Sequence, residues 1–117
     1  MYRPIVFFQM KRITIVGNIG REATCREAQG HKFVTFSIAY AERVTDAKDD
    51  QGNPVTEAQW AECEIYVKPE KSAEGITNLL KKGRFIYVEA YDKVEAWLDK
   101  EGKPRAKVIY RVTDFQV

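Results

Sequence analysis

Cysteine and histidine are scarce in this 117-residue chain, with two copies and one copy. Two cysteines exclude a disulfide-stapled scaffold. Cys25 and Cys63 are also too far apart in sequence for a C-x-x-C redox or zinc motif. The single histidine, His31, excludes any site that needs two, such as H-E-x-x-H zinc chemistry. Between Gly30 and Lys32 it reads as a solvated loop residue. No apolar run approaches the roughly 20 residues that span a bilayer, and residues 5–8 are too short for a signal-peptide core. There is no G-x-x-x-x-G-K-[ST] loop, and Gly17 and Gly20 lack the third glycine of a dinucleotide fingerprint. Charge of one sign is missing too: 19 basic and 17 acidic residues leave +2. No catalytic centre, metal or cofactor is expected from this inventory.

Aromatic residues and alternation are what the sequence does have. Two Trp, six Tyr and six Phe make up 12% of the chain. The small net charge conceals a pattern. Residues 1–45 hold seven basic and three acidic groups, 46–75 three and eight, and 76–117 nine and six. A polyanion would follow the two ends of the chain rather than its middle.

Residues 1–9 read as an N-terminal extension, with residues 5–8 able to pair as an edge strand, and 10–117 as one domain. Strands are predicted at 13–16, closed by Gly17–Gly20, and at 32–41, with Val34, Phe36, Ile38 and Tyr40 on one parity. Residues 42–59 are polar and read as a long hairpin loop. A third strand follows at 60–68. Residues 71–82 form the only good helix, with Lys81 and Lys82 in its last turn and Gly83 as its cap. A fourth strand at 85–91 continues outward through 93–98, turns at 99–102 and returns at 105–112. This order predicts an all-β, five-stranded OB-fold Greek-key barrel with one helix between strands 3 and 4. An α+β sandwich has the same order.

On the third strand, alternation puts Ala61, Cys63, Ile65 and Val67 on one face and Trp60, Glu62, Glu64, Tyr66 and Lys68 on the other. If the small apolar set is the core, Trp60 and Tyr66 point outward. Cys63 is then a buried, inert hydrophobe. Lys93, Glu95 and Trp97 share a face of the last hairpin, Lys100 and Lys103 flank its turn, and Arg105 and Lys107 lie on the return. Outward rings beside cations suit unpaired bases and their phosphates. They also suit a subunit interface.

Met10-Lys-Arg-Ile-Thr-Ile-Val-Gly-Asn-Ile-Gly20 resembles the opening of bacterial single-stranded DNA-binding proteins. Phe36-Ser-Ile-Ala39, Gln59-Trp60 with Tyr66, Leu80-Lys-Lys-Gly83 with Ile86-Tyr-Val-Glu89, and Trp97 with residues 99–105 continue the likeness in order. The resemblance implies an OB fold, sequence-independent binding of single-stranded DNA without catalysis, roles in replication, recombination or repair, and a cytoplasmic, nucleoid-associated homo-oligomer, tetramer over dimer. By position it implies that Trp60, Tyr66 and Trp97 stack bases. Lys68, Lys93, Lys100, Lys103 and Arg105 would meet phosphates, with Arg12, Arg21 and Arg43 in support.

Four residues depart from the family pattern. Val44 replaces a further stacking tryptophan, Ala61 replaces a histidine that supports the tetramer, and Glu62 and Glu95 stand at usually basic positions. The chain ends at Asp114-Phe-Gln-Val117 without the family's acidic tip, so partner recruitment through a tail is not expected. A dimeric primosomal accessory protein and a structural OB oligomerisation module are the rival readings.

Overall fold

The computed structural model describes residues 11–117, apart from the side chains of Val44 and Thr45. The extension at 1–9, its edge strand, Met10 and the Val44 side chain therefore lie outside the described residues. Five strands, β1 (Ile13–Ala28), β2 (His31–Lys48), β3 (Pro54–Val67), β4 (Phe85–Leu98) and β5 (Pro104–Gln116), enclose a barrel, and α1 (Ala73–Leu79) joins β3 to β4. The order around the barrel is β1-β2-β3-β5-β4. The β3–β5 pair is parallel and the others antiparallel. This is the expected barrel, with the helix where the sequence put it.

The predicted alternation makes the core. Val34, Phe36 and Ile38 of β2 meet Ala61, Cys63, Ile65 and Val67 of β3 and Ile86, Val88 and Ala90 of β4. Burial, with a smaller push from Glu62, raises the Cys63 thiol to about 12, so it is an inert packing group.

The strands outrun their sequence signals. Gly17–Gly20 does not end β1. Residues 13–18 pair with β4, and from Asn18 onward the strand pairs with β2. Register shifts between Ile19 and Arg21 and between Arg21 and Thr24 bend it round the barrel. Residues 42–59 are not a loop either. The β2–β3 ladder runs on through Arg43–Thr56 to Lys48–Pro54, so only 49–53 turn. His31 opens β2 rather than lying in a loop.

The helix is shorter than predicted. Ser72 caps it, its Oγ accepting from the Gly75 amide at 3.1 Å. It stops at Leu79, with the fully buried Leu80 as C-cap. Lys81 and Lys82 lie beyond it, and Arg84 Nη1 instead donates to the Leu79 carbonyl at 3.1 Å. Gly83 is not the helix cap. Its φ of +86° serves a following turn, and its amide donates to the Ile19 carbonyl at 2.7 Å.

Candidate nucleic-acid interface

Register decides which side chains share the outward face of β3. Trp60 stands opposite Ala39, Glu62 opposite Ser37, Glu64 opposite Thr35 and Tyr66 opposite Phe33 of β2. On the other side Glu62 faces Ile109 and Glu64 faces Arg111 of β5. Six residues of strand separate Trp60 from Tyr66, or about 20 Å.

Trp60 is 63% exposed and occupies one end of this face. Its ring lies against the backbone of Gly20, where any Cβ would overlap the indole. Tyr66, 38% exposed, occupies the other end. Phe33 is tilted against it at 5.8 Å and His31 stands edge-on at 5.5 Å. Around Tyr66 is a hollow of about 220 Å³ lined by His31, Lys32, Lys68 and Lys71.

Between the two ends is a groove of about 380 Å³ lined by Arg21, Arg26, Thr35, Glu62, Glu64, Glu95 and Lys107. Glu95 and Lys107 also wall the hollow beside Trp97, which ties the β4–β5 hairpin to this groove. Trp97 is 46% exposed, with Lys107 Nζ at 5.8 Å from its ring centre.

Glu64 departs from the pattern. Alternation puts it outward, yet it is 2% exposed. Its Oε1 accepts from Arg111 Nη2 at 2.7 Å and Nε at 2.9 Å, and lies 3.0 Å from Lys93 Nζ. Its Oε2 accepts from Arg26 Nη2 at 3.0 Å. Burial alone would raise the Glu64 carboxyl. Hydrogen bonds from Lys93 and Arg111, with their charges, outweigh it and hold the group below the ordinary carboxylate range.

The predicted cations fall into three groups. Arg21 lines the groove and Lys68 the Tyr66 hollow, while Lys100 stands exposed at the hairpin turn. None of these three has an ion pair among the described residues. Lys93, Lys103 and Arg105 are engaged: with Glu64 and Glu95 at 3.0 and 3.5 Å, with Glu101 at 3.8 Å, and with Asp99 at 2.9 Å. Exposed pairs of this kind are weak and exchangeable, but the one to Glu64 is buried. Arg12, paired with Glu89 at 3.1 Å, and Arg43, near Asp46 at 3.9 Å, line none of the three hollows. The unusual Glu62 and Glu95 sit beside Lys107 and Lys93 at 3.5 Å each.

Sequence reasoning missed Gly20, Arg26, Lys32, Phe33, Lys71 and Arg111. Parity was the available signal for Phe33, since it opposes the core parity of Val34, Phe36 and Ile38. Nothing local marks Arg26 or Arg111, because pairing across strands brings them to Glu64.

Known proteins resemble this chain in sequence and in fold. Single-stranded DNA-binding protein 1 of Xylella fastidiosa is 32% identical over 97 residues, covering 82% of this chain and 68% of the relative. Its namesake in Chlorobaculum tepidum is 28% identical over 110 residues, covering 92% of this chain but only 64% of the relative. Among solved structures, Plasmodium falciparum SSB in complex with ssDNA is similar in fold, with a TM-score of 0.69 at 20% identity, covering 95% of this chain and 97% of that one. The single-strand binding protein family matches from residue 10 to 117, a span that takes in every strand of the barrel and every side chain placed above. On that match, the chain belongs to the single-strand binding protein family.

Proposed function

We propose that this chain binds single-stranded DNA, largely without regard to sequence, and catalyses no reaction. The observation that carries the reading is the arrangement of three exposed rings around cation-lined hollows. Trp60 and Tyr66 stand at the two ends of one face, and Trp97 borders a hollow that shares Glu95 and Lys107 with the groove between them. Bases stack on such rings at about 1–3 kcal/mol each, whatever their identity. Phosphates follow Arg21, Lys68, Lys100, Lys103 and Arg105, with Lys93 held deeper and Arg12 and Arg43 at the margin.

Two relatives carry single-stranded DNA-binding names, and a protein of similar fold was solved with ssDNA, which supports the reading. Roles in replication, recombination or repair follow from such binding, at the nucleoid in the cytoplasm. Among the described residues, no helix is long and apolar enough to cross a membrane.

The chain is read as a homo-oligomer, a tetramer rather than a dimer. Val16 and Phe85 support association, because they leave apolar side chains exposed on the outer face of the β1–β4 pair.

Titration with oligothymidylate tests the function. Tryptophan fluorescence is expected to quench, with affinity falling as salt rises. A folded protein that shows no quenching at low salt would overturn the stacking mechanism. Light scattering on Trp97→Ala separates the rivals: unchanged mass with weaker binding fits DNA stacking, whereas loss of the oligomer fits a structural module.

A further inference from the structure

We propose that Phe33, with the Arg26 and Arg111 guanidiniums that Glu64 holds beside it, forms a further nucleotide subsite between Tyr66 and the central groove. Glu64 is its positioning residue. The inference rests on the single-stranded DNA reading above.

A buried carboxylate in a polyanion path looks like a defect. Its surroundings say otherwise. Three cations meet Glu64, and even with Glu95 beside Lys93 at 3.5 Å the cations outnumber the anions by one. The cation side chains remain partly open, Arg26 at 48%, Lys93 at 35% and Arg111 at 23%. Each is fixed at the Glu64 end and exposed elsewhere. A guanidinium has five N–H donors, and Arg111 gives two of them to Glu64. Tyr91 also hydrogen-bonds this guanidinium, so only part of its donor set is left to meet a phosphate.

The same two arginines approach Phe33. Arg111 Cζ lies 5.0 Å and Arg26 Cζ 5.3 Å from its ring centre, and Tyr66 adjoins at 5.8 Å. Aromatic faces and guanidinium planes both stack unpaired bases. The cluster therefore offers a surface for a base beside donors for its phosphate.

Charge counting and positioning predict opposite signs for one substitution. Glu64→Gln removes a negative charge from the groove, so charge alone would tighten binding. If Glu64 positions the arginines, the same change weakens oligothymidylate affinity several-fold, and Glu64→Asp restores part of it. Phe33→Leu is expected to weaken binding about tenfold. Arg111→Gln is expected to weaken it too, and to lower the salt slope of log K by about 0.7. In the double variant Glu64→Gln/Arg111→Gln the combined loss should be less than the sum of the two single losses, as a coupled pair requires, with the remainder reflecting Arg26.

Circular dichroism checks each fold. Should Glu64→Gln not fold, Phe33→Leu and Arg111→Gln decide. Tighter binding by folded Glu64→Gln, or wild-type affinity in both Phe33→Leu and Arg111→Gln, overturns the subsite while leaving the DNA reading intact. A wild-type protein that binds no oligothymidylate overturns both.

Discussion

The β2–β3 and β4–β5 hairpins end in the same turn and differ in nearly everything else. In one, Asp49 Oδ1 accepts from the Gln51 and Asn53 amides at 2.9 Å each, and Gly52 takes φ +83°. In the other, Asp99 Oδ1 accepts from the Glu101 and Lys103 amides at 2.9 Å each, and Gly102 takes φ +77°. A proline follows each, Pro54 and Pro104. The shared D-x-x-G-x-P pattern is a local solution: the aspartate satisfies two amides, and glycine takes a left-handed backbone without strain. The strands behind the turns carry different cargo. Residues 46–57 hold one basic and four acidic groups, while 95–107 hold four basic and three acidic groups together with Trp97. Turn chemistry thus builds the hairpin, and the DNA contact proposed for one hairpin and not the other rests on strand chemistry.

The largest effect expected from this contrast is on affinity. Trp97→Ala should cost about 1–3 kcal/mol of oligothymidylate binding, whereas Val55→Ala in the other hairpin should stay within about twofold of wild type. Equal losses in fluorescence titrations would erase the distinction. Next in size is the salt response. Lys100→Gln and Lys103→Gln should each lower the slope of log K by about 0.7, and Lys48→Gln should leave it unchanged. Stability sharpens the other half of the comparison. Gly52→Ala and Gly102→Ala force a side chain into positive φ, so each should cost about 1 kcal/mol in denaturant unfolding, and by similar amounts. Unequal costs would show that the turns are alike only in outline. The smallest effect is in titration. Lys103's amide, then Arg105, hold the Asp99 carboxyl below its usual range. Its native contacts therefore persist above the unfolded value near 3.9 and fade as pH falls through the lower folded value. An Asp99 midpoint at or above about 3.9 by NMR would contradict this.

The barrel was legible because its core residues alternate cleanly. Val34, Phe36 and Ile38, or Cys63, Ile65 and Val67, announce a buried face without help from the rest of the chain. The hairpin arms were not. Residues 42–48 and 54–59 are exposed or half-buried wherever described, so no apolar parity distinguishes their strands from a polar loop. The helix was overextended because Leu79 and Leu80 continue the helical spacing, although Leu80 is buried as the C-cap. At the site, the outward rings of β3 could be read from parity alone. The burial of Glu64 could not, since Arg26 and Arg111 lie 38 and 47 residues away from it in sequence. Only register brings them together.

Leu80 bears on the order of folding events. A seven-residue helix is too short to persist alone in water, so α1 depends on the barrel that receives Leu80 and packs Ala73 and Ile76. The connection between β3 and β4 therefore orders only where the barrel is present to receive it, and the helix becomes a built-in gauge of barrel closure. Its amides, in a helix with no buried residue of its own, should exchange by local opening ahead of those in the barrel strands.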